Sequence, residues 1–295
     1  RSIPIVGPLG YRAGNPFSPA TITELHAEKM DLLHVHSPFA SSVLARQLIR
    51  PKKYRVPVVL TYHTKYEFDI EKFIHVDGTD FARGKAPDEQ VGELRRIYNI
   101  KKDELVFLSV GRMMWYKNIK ITLDALDVVR QAGIPFRVIF VGEGADRPAI
   151  EQYAHSIGLT DHAVFTGAIY DRERVRTYFS LADLFLFPST YDTSGLVVKE
   201  AAACSCPSLL VAGSCAAEGV VDNDTGLLAD ESADSCAARI LAAVREPGLL
   251  ERIGKGAADR VYLSWEDAVA MAYKRYEQII GGWPFPLPNL HKEWK

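Results

Sequence analysis

Along most of this chain, short and almost wholly apolar runs alternate with longer segments in which apolar residues recur every three or four positions. Residues 105–110, 136–141, 163–166, 183–187 and 208–211 are the short runs. Runs of this length and composition predict strands buried on both faces. Between them, residues 118–131, 147–156, 171–180 and 196–203 carry helical spacing, and Pro87 opens a further helix containing Asp88, Glu89 and Leu94. Strand and helix alternating through short connections force parallel pairing with right-handed crossovers. The expectation is a doubly wound, Rossmann-like α/β domain, with three more helices near residues 233–245, 249–259 and 265–280.

A shorter α/β pattern precedes it. Residues 31–36 read as a strand, Ser37-Pro38 breaks it, residues 40–49 are helical and residues 56–62 form a second strand. The organisation expected is a partial Rossmann-like domain over 1–77, a second over 78–264, and a helix and tail over 265–295 that return to the first.

With 295 residues the chain suits two domains of ordinary size, and a core of that size needs no disulfide or metal staple. A formal charge of −2 gives no bulk attraction to nucleic acid, so no nucleic-acid partner is expected. Cys204, Cys206, Cys215 and Cys236 lack the paired Cys-x-x-Cys spacing of a zinc site and read as small buried thiols, which suits a reducing cytosol. No run approaches a membrane span and no signal peptide opens the chain, so a cytoplasmic place is expected. The basic run Arg46, Arg50, Lys52, Lys53 and Arg55 and the segment Trp283-Pro284-Phe285-Pro286 could touch a membrane surface, but a solvated helix end and loop for the first and interdomain packing for the second are the better readings.

In a parallel sheet, ligands bind beyond the carboxyl ends of the strands, so residues that follow a strand carry the chemistry. After 105–110 comes Gly111-Arg112, with Lys117 just before a helix. Glycine permits close approach, and two cations at a helix N-terminus suit a diphosphate, although a solvated surface turn has the same look. After 183–187 come Asp192 and Glu200, with seven residues between them and Gly195 in the middle. If Gly195 begins a helix, the amides of Ser194, Gly195, Leu196 and Val197 are free donors. One acid could then bind sugar hydroxyls and the other a ribose diol; an N-cap acid and a solvated helix Glu is the plainer alternative. His63 follows the strand at 56–62. His34 and His36 share one strand face, which a metal pair could use, but no metal is expected.

Six of these elements, in order, resemble the family 4 retaining glycosyltransferases of GT-B fold. They are Gly111-Arg112 with Lys117, Gly142-Glu143-Gly144, Phe165-Thr166-Gly167, Pro188-Ser189, Asp192 to Glu200, and Gly226-Leu227-Leu228. The resemblance implies two Rossmann-like domains facing a cleft, the first of them incomplete here. It also implies transfer of a hexose from a nucleoside-diphosphate sugar to a hydroxyl acceptor, with retention and without a cofactor or metal. Arg112 and Lys117 would hold the diphosphate, Glu200 the ribose, Asp192 and the Ser194–Val197 amides the hexose, and the backbone after Gly167, near Ile169, the base. His63 would stand near the reacting sugar. The string Tyr62-His63-Thr64-Lys65-Tyr66-Glu67 further resembles bacterial enzymes that glycosylate diacylglycerol, which implies a lipid or saccharide acceptor and a peripheral place at the inner membrane face.

Two positions depart from the family: Asp192 stands where Glu is usual, and Ser194 where an aromatic is common. Nothing matches the glycine-rich loop that opens the family's first domain, and residues 70–73 run straight into a segment resembling the start of the second. A shortened or spliced chain is the expectation. A nucleotide-sugar epimerase of the same fold and a non-catalytic nucleotide-sugar-binding module are the competing readings. Incubation with donor but no acceptor separates the first, since only an epimerase isomerises the sugar.

Overall fold

The structure is a computed structural model that describes residues 3–6, 11–13, 19–28, 30–36, 40–49, 56–61, 79, 81–192 and 195–282. The chain divides into two compact units, Arg1–Val76 with Ala268–Lys295, and Asp77–Asp267.

In the first unit, β1 (Ile3–Val6) and β2 (Tyr11–Ala13) form an antiparallel ribbon, followed by α1 (Pro19–Ala27). Neither the ribbon nor this helix was legible in the hydrophobic pattern. β3 (Leu33–His36), α2 (Ala40–Ile49) and β4 (Val58–Thr61) then make one βαβ unit, with β3 and β4 parallel and Leu33 opposite Val58. Leu33, Val35, Ala45, Leu48 and Val56 form its core, and Ile22 and Leu25 of α1 pack on it. The expected strand over 56–62 is shorter, because Val56 and Pro57 are buried but precede the ladder.

The second unit begins with α3 (Asp88–Ile97) and continues with β5 (Leu105–Val110), α4 (Ile119–Gln131), β6 (Phe136–Val141), α5 (Arg147–Ser156) and β7 (Ala163–Gly167). Then come α6 (Arg172–Leu181), β8 (Leu184–Phe187), α7 (Leu196–Ala203), β9 (Ser208–Val211), β10 (Leu227–Ala229), α8 (Ala233–Arg245) and α9 (Leu249–Arg260), whereas α10 (Trp265–Gly281) belongs from Ala268 onward to the first unit. All six strands pair in parallel in the order β10-β9-β8-β5-β6-β7. β10 has only three residues, too short to show a period.

The apolar strands hide an alternation that the structure exposes. In β5, Val106 and Leu108 join one core while Phe107 joins the other; in β8, Phe185 and Phe187 oppose Leu184 and Leu186 in the same way. Each face is covered by helices, so both phases of the period-two pattern are apolar. Burial of each such side chain contributes about 1.5–3 kcal/mol. The thiols of Cys204, Cys206 and Cys236 lie in these cores, and burial pushes Cys204 and Cys236 up to about 11 and Cys206 well above its ordinary value. They therefore stay protonated at neutral pH.

The strand order fixes where a ligand can enter. From β5 the chain winds outward through β6 to β7, then returns to β8 on the other side of β5 and winds away through β9 to β10. Helices leave β5 and β8 toward opposite faces, so a crevice opens above the carboxyl ends of these two neighbours.

Glycine closes the rest of that edge. A Cβ on Gly142, where φ is 145°, would lie 1.9 Å from the Gly111 carbonyl oxygen, and one on Gly144 would lie 2.2 Å from that of Met113. The loops after β5 and β6 therefore touch backbone to backbone. We expect Gly142→Ala to destabilise the fold by about 2–4 kcal/mol through strain and overpacking. Gly92→Ala, within α3 and with open space around its Cβ, should stabilise it by about 0.5–1 kcal/mol. Urea unfolding midpoints of the two variants check both signs.

Candidate functional site

The loop after β5 starts at Gly111, whose N–H donates to the Val141 carbonyl at 3.0 Å and so continues the ladder with β6. Arg112 is exposed; its carbonyl accepts from the Met114 N–H at 2.9 Å, while its side chain makes no hydrogen bond or ion pair to any described residue. Met113 is buried, and its N–H donates to the Glu143 carbonyl at 3.0 Å. Residues Trp115–Lys117 then make a single 3-10 turn, held by the Trp115 N–H on Asp146 at 2.9 Å. Asn118 takes a left-handed conformation with φ 59°, which turns the chain into α4.

Asn118 also ties three loops together. Its side-chain amide donates to the Pro188 carbonyl at 2.9 Å and to Glu231 at 2.6 Å, and Thr190 donates to the same Glu231 oxygen at 2.8 Å. The loops after β5, β8 and β10 thereby share one hydrogen-bonded hub.

The loop after β8 brings Asp192 to Lys117. One Asp192 carboxylate oxygen pairs with the Lys117 ammonium and the other accepts from the Ser189 hydroxyl. The side chains of Lys117 and Asp192 are 13% and 23% exposed, so each charge replaces hydration the other has lost. The Lys117 ammonium also stands 5.8 Å from the Phe187 ring. Gly111, Arg112, Lys117, Ser109, Phe187 and Pro188 line one hollow above β5 and β8.

Gly195 precedes α7 with φ 61°, and a Cβ there would meet the Ala216 Cα at 2.9 Å, so conformation and space both require glycine. No side chain caps α7, and its first amides have no intrahelical partner. Leu196 is exposed, Val197 packs partly against the core, and Glu200 is one turn further in. Glu200 is paired with Arg172 at 2.8 Å. At the end of β7, Gly167 accepts from the Gly142 N–H at 2.9 Å, and Ile169 packs partly buried against the core.

The structure thus joins Lys117 to Asp192 directly, sets Arg112 in the same hollow as Lys117, and places Gly167, Gly195 and Glu200 on the same sheet edge. His63 and Ser194 lie outside the described residues. His34 is engaged with the hydroxyl of Tyr276, and their rings meet edge to face at 5.6 Å. Among the described residues no group of three or more His, Cys, Asp and Glu side chains could hold a metal.

Sequence reasoning missed Arg172, the Asn118–Glu231–Thr190 hub, and a pair of exposed rings, Tyr116 and Tyr191, with centroids 4.6 Å apart. The position of Asn118 just before a helix was a signal for a cap; the partners came from far along the chain and left none.

A doubly wound parallel domain with charged loops at its switch point is an architecture that binds ligands beyond the carboxyl ends of its strands; its family follows from its relatives. The sequence model for glycosyl transferases group 1 matches residues 90–260, and that for glycosyltransferase family 4 matches residues 1–99. The chain belongs to the group 1 glycosyl transferases. It is 25% identical over 228 residues to the alpha-monoglucosyldiacylglycerol synthase of Streptococcus pneumoniae, covering 61% of this chain and 51% of that one. The chain spans about half the length of the curated relatives it matches. The fold is GT-B: a glycosyltransferase from Rickettsia africae superposes with a TM-score of 0.68 at 17% identity, over 92% of this chain and 84% of that one. Anabaena Alr3699/HepE, solved in complex with UDP-glucose, superposes with a TM-score of 0.60 at 19% identity, over 90% and 70%. Among the described residues no helix is long and apolar enough to cross a membrane.

The Asn118 hub gives a direct test of what holds the site's loops. Asn118→Ala should cost about 2 kcal/mol, from lost hydrogen bonds and left-handed strain. Asn118→Gly should recover about 1 kcal/mol of that, since glycine takes this φ freely. Equal urea midpoints for the two variants would remove the strain argument.

Proposed function

We propose that this chain carries the donor side of a retaining glycosyltransferase. It would move a hexose from a nucleoside-diphosphate sugar to the hydroxyl of a lipid or saccharide acceptor. The observation that carries the reading is the meeting of Arg112, Lys117 and Asp192 at the switch point between β5 and β8. The glycolipid synthase among the relatives and the UDP-glucose complex among the structural neighbours support it.

Arg112 offers a planar fork and Lys117 three rotatable donors to the diphosphate oxygens. As the bond from the anomeric carbon to the diphosphate breaks, these cations stabilise the charge that develops on the leaving group. The acceptor oxygen bonds the anomeric carbon on the same face, and its proton passes to the departing diphosphate, which gives retention. Lys117 exchanges part of its bond to Asp192 for phosphate oxygens, while Asp192 and the first amides of α7 take the hexose hydroxyls. Glu200 takes the ribose, and the backbone beside Gly167 and Ile169 takes the base. The two cations already serve the diphosphate, so no metal or cofactor enters this reading. His63, by the family resemblance, belongs to the reacting sugar, with the acceptor side falling to residues 1–77. A lipid acceptor would give the protein a peripheral place at the cytoplasmic face of a membrane.

A thermal-shift panel of UDP, GDP, ADP and dTDP identifies the base, because a ligand at about 100 times its Kd stabilises by about 2.7 kcal/mol. Against the nucleotide so found, Lys117→Ala and Glu200→Ala should each lose roughly ten- to a hundredfold in affinity. Two folded variants with unchanged affinity would sink the pocket assignment.

A further inference from the structure

We propose that Arg172 is a positioning residue for Glu200, and that through it the chain selects nucleotides with an intact ribose diol. This rests on the donor-site reading above.

Arg172 is the first residue of α6, whose cap is Asp171, accepting from the N–H groups of Glu173 and Arg174. The N-terminus of a helix carries partial positive charge, so a cation there is set against the local dipole. Local helix energetics therefore do not account for Arg172, but its neighbours do. The guanidinium carbon stands 4.5 Å from the centre of the Phe81 ring, and one guanidinium nitrogen is 2.8 Å from Glu200. One face of the plane is thus stacked and one edge is spent on the carboxylate.

The platform beneath it is fixed. Phe81 is 3% exposed and meets the buried Phe179 ring edge to face at 6.1 Å. Its segment is pinned to the helix that bears Glu200, because the Gly84 N–H donates to the carbonyl of Ala203, the last residue of α7, at 2.8 Å. Arg176 of α6 donates to the Gly84 carbonyl at 2.9 Å. Arg172, Phe81 and Glu200 therefore belong to one interlocked body made from α6, α7 and residues 81–86.

Exposure gives the pair its direction. The Glu200 side chain is 12% exposed and that of Arg172 is 51% exposed. The covered group is the acid, and the arginine reaches in from the wet side to replace its hydration. A guanidinium held against the Phe81 ring also anchors one Glu200 carboxylate oxygen, leaving the other for a ribose diol. It further offsets the repulsion between this carboxylate and the diphosphate bound at the same sheet edge. An ordinary surface ion pair would do none of this and would contribute little.

The test is calorimetric titration of the full 295-residue chain with UDP, GDP and ADP, each beside its 2′-deoxy counterpart, and with dTDP. The wild type should favour the ribonucleotide of its preferred base by about tenfold, the worth of one hydrogen bond to a charged group. Arg172→Gln should lose about tenfold for the ribonucleotide and less than about twofold for the deoxynucleotide, so that the preference collapses. Arg172→Lys should recover part of it. Added to Glu200→Ala, Arg172→Gln should cost nothing more. Equal losses for ribo- and deoxynucleotide, or full additivity with Glu200→Ala, would overturn the positioning role while leaving the donor site standing. Binding of none of UDP, GDP, ADP and dTDP by the wild type would overturn both, and a preference for dTDP, which lacks the 2′-hydroxyl, would overturn the diol selection alone.

Discussion

The reversal of winding between β5 and β8 is the constraint on which the site depends. Right-handed crossovers send the helices from β5 and β8 to opposite faces of the sheet, and neither following loop can cover the ends of both strands. The hollow between them is a consequence of chain topology before any side chain is considered. Arg112 and Lys117 belong to one of the two loops and Asp192 to the other, so the fold delivers cations and an acid to the same place.

What fills that place is charge already partnered within the protein. Lys117 has Asp192, Asp192 also has Ser189, and Glu200 has Arg172. Each partner replaces hydration that Lys117, Asp192 and Glu200 have lost, so pairing lets these groups stay largely withdrawn from water. On the proposed function, a diphosphate would exchange one partner for another. Arg112 differs, standing exposed and unpaired among the described residues, ready for a first contact.

The rest of the edge is shaped by absence of side chains. Gly142 and Gly144 let one loop rest on the backbone of another, and Gly195 lets α7 start against Ala216. Where backbones touch, positions are set by covalent geometry rather than by rotamers, which suits loops that must hold several polar groups in register.

The sequence by itself determined the alternation of strands and helices in the second unit, its parallel character, and the loops that carry Gly111, Lys117, Asp192 and Gly195. These are local matters: period, turn residues and order along the chain. The first unit was less legible, because β1 and β2 are short and α1 is weakly patterned. Which phase of each strand faces which core was settled by the folded sheet, since Val106, Phe107 and Leu108 of β5 and all four residues of β8 suit either face. Only the tertiary structure decided that Lys117 meets Asp192, that Asn118 reaches Glu231, and that Arg172 stands over Phe81 against Glu200. Those partners are far apart in sequence, and an isolated Lys, Asn or Arg looks the same whether it faces water or an acid brought to it by another strand. Proximity of that kind is set by strand order, and strand order is a property of the folded sheet.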